Sequence, residues 1–471
     1  MFTRLDFLRG SLALAAVGAA NPLRIHSPSS TALDRYISRP TPEYGFNIVN
    51  TVDNERYRTT VVSMTSQKWR SEREVDKPLW RHWLTITEPK RYKTRIGMLV
   101  ISGGSNTDDP PRKIDPIIGT LAARTGAVIA ELHQVPNQPL TFFDDGSPRS
   151  EDDLVAYTWD KYLRSGDDTW PLRLPMTKAA VRAMDTVTAL TARSGQGPVV
   201  DRFVVGGTSK RGWTSWLTAA ADHRVIAVVP VVIDVLNVAR SAEHEYRVYG
   251  SWPPSLESYV KLGIMNWLGT PQLQALLEIE DPYSYRDRLV HPKLIVNASG
   301  DQFFTPDSSQ FYFSGLVGEK YLRYIPNTDH SLDGATVNAA HTGLAFVDSI
   351  IAGSPRPQYD WHWDGDAVRV RSSAQPLSVK LWQAHNPRAR DFRLQTIGPA
   401  FRSTELIDQG GNTFVARVAP PAHGFTAGFV ELTYATLRED VFTVTTDVRV
   451  TPDVLPYGPP RLSSITHSSP S

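Results

Sequence analysis

The chain has no cysteine among its 471 residues. That excludes disulfides, thiolate nucleophiles and cysteine-ligated zinc or iron–sulfur centres together. Net charge is also lacking: 50 Lys and Arg stand against 49 Asp and Glu, a balance of +1. No broad basic footprint therefore exists for nucleic acid or an anionic lipid surface. No apolar run reaches the roughly 18 residues that a membrane-spanning helix needs. His82, His133, His223, His244, His291 and His341 show neither H-x-x-x-H nor H-E-x-x-H spacing and read as structural. No metal and no cofactor is expected. Around Gly206 and Gly207, neither a phosphate loop nor a dinucleotide fingerprint is matched.

What is present begins with a short apolar stretch, residues 11–20, flanked by Arg4 and Arg9, with small residues Gly18 and Ala20 at its end. This reads as a secretory signal peptide over residues 1–20 and implies a periplasmic or secreted protein. Residues 3–9 are similar to a twin-arginine signal, with Leu5 where the second arginine would stand. Residues 21–45, rich in Ser, Pro and Thr, are expected to carry little structure. Residues 81–87 alternate apolar and polar, as an edge or antiparallel strand does.

From about 97 onward the pattern changes to short, continuous apolar runs (97–101, 128–132, 203–205, 225–233, 294–296, 321–325). Helix-like segments lie between and after them (113–124, 151–163, 177–193, 338–351). Continuous apolar strands are buried on both faces, and strands alternating with helices build a parallel sheet. Residues 45–353 are thus expected to form one α/β domain. Within it, residues 240–290 break the rhythm and hold Tyr246, Tyr249, Trp252, Tyr259 and Trp267. This insertion is expected to form a lid, with Trp252 and Trp267 touching substrate.

A Gly- and Pro-rich linker at 353–357 leads to short strands at 368–370, 377–382, 392–396, 413–418, 428–434 and 442–450. Their spacing over 358–455 predicts a small antiparallel β-sandwich, immunoglobulin- or fibronectin-III-like. Trp361 and Trp363 fit a core or interdomain contact better than a sugar-stacking surface.

The most specific local text is Val204-Val205-Gly206-Gly207-Thr208-Ser209-Lys210-Arg211-Gly212-Trp213. A strand enters, a helix leaves, and Ser209 stands at the turn, the context of a nucleophile elbow. Gly207 occupies the small position two before the serine. Arg211 stands two after it, where a glycine is expected, and Gly212 follows. The alternative to a nucleophile is a serine that merely caps the helix.

A serine nucleophile needs a base and an orienting acid. Asp301 follows the run 294–296, with Asp307 as the reserve candidate, and His330 follows 321–325. All three candidates therefore fall at C-terminal strand ends, in the order serine, acid, histidine. The Lys210 N–H is the natural first oxyanion donor, with the Gly104–Ser105 loop offering a second. Arg211 offers charge to a substrate, or serves as surface charge. Ester and amide hydrolysis share this machinery, so the substrate is a small molecule, a glycan ester or a peptide. The competing expectation is a non-catalytic secreted signalling or binding protein on the same fold, because Arg211 is bulky for its position.

The segments SMTSQKWR, PLWRHWLTI, GGTSKRGW, DPYSYRDRL, NASGDQFFTPDSS and YIPNTDHSL together resemble the PhoPQ-activated pathogenicity-related proteins, from about residue 35 to 455. The resemblance implies a secreted or periplasmic α/β-hydrolase fold with a small C-terminal β-sandwich, and Ser209, Asp301 and His330 as its triad. The elbow is also similar to the G-x-S-R-x-G of glucuronoyl esterases. Lys210 in place of that arginine keeps the charge but loses its planar, bidentate geometry.

Overall fold

The computed structural model describes residues 30–112, 116–334, 336–436 and 440–462; the expected signal segment, 1–20, lies outside them. The described residues begin with a short helix, Ala32–Ser38, in a stretch expected to carry little structure. A capping box explains it: Thr31 accepts from the Asp34 N–H, and the Asp34 carboxylate accepts from the Thr31 N–H. Leu33 is fully buried, and Asp34 pairs with Arg288 at 2.7 Å.

Nine strands form the main sheet up to residue 325: β1 (Gly45–Asp53), β2 (Tyr57–Lys68), β3 (Leu79–Pro89), β4 (Ile96–Ile101), β5 (Val128–Leu132), β6 (Arg202–Thr208), β7 (Val225–Val231), β8 (Lys293–Ala298) and β9 (Lys320–Ile325). Their spatial order is β1-β2-β3-β5-β4-β6-β7-β8-β9. The first three run antiparallel, and β3 is an interior strand because it also pairs with β5. The remaining strands are parallel to one another. The strand order reverses between β4 and β6, and the C-terminal side of such a reversal is where parallel sheets hold ligands.

Helices α1 (Pro116–Thr125), α2 (Glu151–Ser165), α3 (Arg173–Ser194), α4 (Lys210–Ala221), α5 (Val238–Tyr249), α6 (Pro271–Glu280) and α7 (Thr336–Ala352) connect and cover these strands. Trp213, Trp216, Leu217 and Ala220 form one buried face of α4, as their i, i+3, i+4, i+7 spacing predicts. Helices α2, α3 and α4 share the core on one side of the sheet. Phe346 of α7 belongs to the core on the other side. This is the α/β-hydrolase arrangement.

The C-terminal region adds β10 (Tyr359–Asp364), β11 (Ala367–Ser372), β12 (Ser378–Asn386), β13 (Arg402–Glu405), β14 (Thr413–Arg417), β15 (Phe425–Ala435), β16 (Val441–Thr445) and β17 (Arg449–Thr451). Strands β10-β11-β14 make a three-stranded antiparallel sheet. The other five continue the main sheet beyond β9, through a Leu322–Thr445 pairing between β9 and β16. Val368, Val370 and Phe414 of the small sheet share one core with Leu381, Val430 and Val444 of the extension.

That core also contains Val204, Leu294 and Val296 of the parallel strands, so the C-terminal strands are fused to the hydrolase sheet rather than hung on a linker. A buried Arg323–Glu431 ion pair crosses the junction at 2.5 Å. Trp361 stacks on Phe313, 5.3 Å between centroids, and Trp361 and Trp363 both donate to Asp447. These tryptophans are therefore committed to packing and hydrogen bonding. The strand expected at 392–396 is instead a helical turn, Leu394–Ile397. Asp391 nucleates it by accepting from the Arg393 N–H and the Thr396 hydroxyl.

Candidate active site

Strand β6 ends at Thr208 and α4 begins at Lys210, so the whole reversal falls on Ser209. Its φ of 54° and ψ of −125° are costly for a residue with a Cβ. Two bonds hold it there: the Ser209 N–H donates to the Val231 carbonyl at 2.8 Å, and its carbonyl accepts from the Trp213 N–H at 3.0 Å. Two glycines make the turn possible. A Cβ on Gly207 would sit 2.8 Å from the Arg211 backbone, and one on Gly212 would sit 2.8 Å from the Gly207 carbonyl oxygen. Close approach at the elbow is thus secured by Gly207 and Gly212, which leaves position 211 free to be large.

Arg211 turns away from the reacting side. It is 9% exposed, forms two bonds to Glu151 at 2.6 and 2.9 Å, and donates from Nε to the Val135 carbonyl at 2.5 Å. Gly103 makes room for the guanidinium, since a Cβ there would lie 2.8 Å from it. The expected substrate contact for Arg211 is therefore corrected: it braces the elbow against α2. Burial raises the Glu151 carboxyl, but Arg211 and Lys210 outweigh that and bring it down to about 2.

Asp301 and His330 come to the elbow from the ends of β8 and β9. His330 Nε2 lies 2.9 Å from Ser209 Oγ, and His330 Nδ1 lies 2.9 and 3.1 Å from the two Asp301 oxygens. The Phe303 N–H also donates to Asp301, at 2.8 Å. Burial pushes the Asp301 carboxyl up, against the His330 contact and the Phe303 N–H, which favour its charged form. Gln302 accepts from the His330 N–H, and the Phe303 ring lies 4.4 Å from the imidazole.

Asp307, the reserve acid, is engaged elsewhere: it bonds Arg390 at 2.6 Å and His244 at 3.1 Å. Burial opposes its charge, but Arg390 and His244 hold it well below the usual carboxylate range.

The C-terminal region supports both loops. The Leu394 N–H donates to the Gly300 carbonyl, and Asn327 exchanges two bonds with the Phe401 backbone at 2.8 and 3.0 Å. Arg390 reaches Asp307 from the same side. Nothing in the sequence marked these long-range ties.

A cleft opens at Ser209, with about 850 Å³ of empty space counting its mouth. Lys210, Trp213, Phe303 and Phe304 line it near the elbow, and Val238, Ala239, Ala242 and Glu245 of α5 form a wall. From the insertion, Leu256, Tyr259, Ile264, Met265 and Leu268 line it. Trp252 and Trp267 do not. Trp252 packs on Tyr246 at 4.9 Å, and Trp267 is 4% exposed within the core. The insertion's contact with the cleft is thus mainly aliphatic, with Tyr259 as its aromatic member.

Gly104 and Ser105 are also absent from the lining, and the Ser105 N–H is already bonded to Asp108 at 2.7 Å. Lys210 does line the cleft; its ammonium is held by Asp152 at 2.8 Å and Glu151 at 3.3 Å. Arg173, another lining residue, pairs with Glu280 at 3.1 Å and lies over the Trp213 ring at 3.7 Å. Among the described residues no group of three or more His, Asp or Glu side chains is arranged to hold a metal.

The sequence pattern of the PhoPQ-activated pathogenicity-related proteins matches residues 33–393. The chain belongs to that family. Autocrine proliferation repressor protein A of Dictyostelium discoideum is 35% identical over 457 residues, covering 91% of this chain and 92% of that protein. Among solved structures, acetyl xylan esterase 1 from a Thermoanaerobacterium species is 14% identical with a TM-score of 0.46, over 67% of this chain and 92% of that one. An acetyl xylan esterase from a Paenibacillus species is 15% identical with a TM-score of 0.47, over 68% and 92%. Among the described residues no helix is long and apolar enough to cross a membrane.

Proposed function

We infer that this member of the family is a serine hydrolase that cleaves an ester or amide bond through Ser209, His330 and Asp301. The observation that carries the reading is the unbroken chain of contacts from Asp301 through His330 to Ser209 Oγ, opening on a cleft. His330 Nε2, 2.9 Å from the hydroxyl, takes its proton as Ser209 attacks the carbonyl. Asp301, on Nδ1, fixes the tautomer and stabilises the imidazolium.

The tetrahedral oxyanion forms beside the start of α4, whose first N–H groups have no partner within the helix. The Lys210 N–H is the donor nearest in sequence, in a region of positive helix potential. The imidazolium then protonates the leaving group, and water, activated by the same histidine, cleaves the acyl-enzyme. Tyr259 and the aliphatic side chains of the insertion exclude water from the site.

Export to the periplasm or medium, from the signal at 1–20, belongs to the same reading; the N-terminal sequence of the mature protein tests it. The activity is tested by a screen of acyl esters and aminoacyl anilides on wild type and Ser209→Ala. Turnover lost in the variant supports it; turnover equal in both contradicts it.

A second reading rests on the relative named as a proliferation repressor: a secreted signal carried on a hydrolase fold. Biological activity that survives Ser209→Ala would favour it.

A further inference from the structure

The wall of the cleft formed by α5 is apolar except at one position. Val238, Ala239, Ala242 and Glu245 follow one another at helical spacing along the same face. Glu245 is 6% exposed, and its Oε1 has no hydrogen-bond partner. A carboxyl group placed this way costs stability and does nothing for the empty protein.

The charges around it define what it lacks. Lys210 is shared by Glu151 and Asp152, Arg211 is held by Glu151, and Arg173 by Glu280. Arg393, which acts on Glu245 from a distance, is bonded to Asp391. The two cations that line the cleft, Lys210 and Arg173, are thus already matched, while Glu245 feels the additional negative field of Asp301. Burial, reinforced by Asp301, pushes its carboxyl well above the ordinary range, so a bare carboxylate is disfavoured in the empty cleft. The missing component is a cation.

We propose that Glu245 is a specificity-determining residue that binds a primary ammonium group on the substrate, so that the preferred substrates are amine-bearing esters or amides such as aminoacyl compounds. On binding, the ammonium and the Glu245 carboxylate form an ion pair, any proton on the carboxyl leaving to solvent; no other covalent bond changes at this position. The apolar wall receives the substrate's hydrocarbon part, and the ammonium meets Glu245, the polar residue of that wall. A neutral hydroxyl would gain one ordinary hydrogen bond there, whereas an ammonium gains a charge-assisted bond in a site of low dielectric.

This deepens the hydrolase reading, and its test is kept independent of turnover. On Ser209→Ala protein, hexylammonium and 1-hexanol are titrated separately by calorimetry at pH 7.5. Hexylammonium is expected to bind roughly tenfold or more tightly than hexanol. In Ser209→Ala/Glu245→Gln the preference should collapse to within about twofold, and Glu245→Asp should restore part of it. Equal binding of the two ligands, no binding of either, or a preference that survives Glu245→Gln overturns the proposal. Should Glu245→Gln fail to fold, the ratio measured on Ser209→Ala still decides. Fluorophosphonate labelling of Ser209 tests the hydrolase reading separately, so either can fail without the other.

Discussion

Replacing Asp301 with asparagine probes the geometry with almost no change in volume. Asp301 Oδ1 accepts from the Phe303 N–H at 2.8 Å, and Oδ2 accepts from His330 Nδ1 at 2.9 Å. In Asp301→Asn the amide oxygen stays on the Phe303 N–H, which leaves the NH₂ group facing Nδ1. That nitrogen must then accept, so the imidazole proton moves to Nε2 and points at Ser209 Oγ. A histidine in that tautomer cannot take the serine proton, and the negative charge that stabilised the imidazolium is gone as well. The expected loss is about 10⁴-fold in kcat, or about 5 kcal/mol of barrier.

Because the substrate is unassigned, the assay is the second-order rate of fluorophosphonate labelling, with the melting temperature as the control for folding. Asp307→Asn is the contrasting variant. It leaves Arg390 and His244 without their buried carboxylate and should cost about 3–5 kcal/mol of stability, with far less effect on labelling of the folded fraction. The reasoning is refuted if Asp301→Asn labels within tenfold of wild type, or if Asp307→Asn alone abolishes labelling in folded protein.

Gly207→Ala and Gly212→Ala each press a methyl group onto backbone atoms 2.8 Å away; each should lower stability by about 1–3 kcal/mol and slow labelling, read by calorimetry and mass spectrometry. Trp267→Ala should cost about 3–5 kcal/mol of stability, while Tyr259→Leu should shift relative kcat/KM across an ester series with a smaller effect on melting. Burial holds the His82 imidazole down at about 4, against its hydrogen bond to the His133 carbonyl, so the folded chain keeps it neutral. Between pH 6.5 and about 4 the unfolded chain takes up a proton there that the folded chain refuses. Stability therefore falls as pH is lowered through that window, by about 3 kcal/mol from this group, and His82→Gln should flatten the melting curve there. Arg390→Met should destabilise by about 3–5 kcal/mol and loosen the loop carrying Asp301, seen as faster amide exchange over 300–307.

The parallel sheet was legible because buried strands such as 203–205 and 294–296 carry no polar alternation, and because the serine, acid and histidine fall at strand ends. What the sequence concealed is long-range. The role of Arg211 depends on Glu151, 60 positions away, and on the space left by Gly103; beside the elbow alone it reads as a substrate contact. Trp252 and Trp267 read as a lid because aromatic content does not tell which way a ring faces. Burial took Trp267 into the core, Trp252 packs on Tyr246, and Tyr259 is left in the cleft. The helix Ala32–Ser38 lies in a Ser-, Pro- and Thr-rich stretch whose composition argues against structure, and its local signal is the Thr31–Asp34 capping pair alone. The fusion of β9 to β16 has no local signal at all: one ladder pair, the Arg323–Glu431 ion pair and a shared core make it.

The most direct measurement of the central claim is intact-protein and peptide mass spectrometry after fluorophosphonate treatment at pH 8, with wild type and Ser209→Ala side by side. One phosphonyl group per wild-type chain, mapped to Ser209 and absent from the folded variant, is the predicted result. A folded wild-type chain that stays unlabelled, or one labelled at another residue while Ser209 remains unmodified, would contradict it.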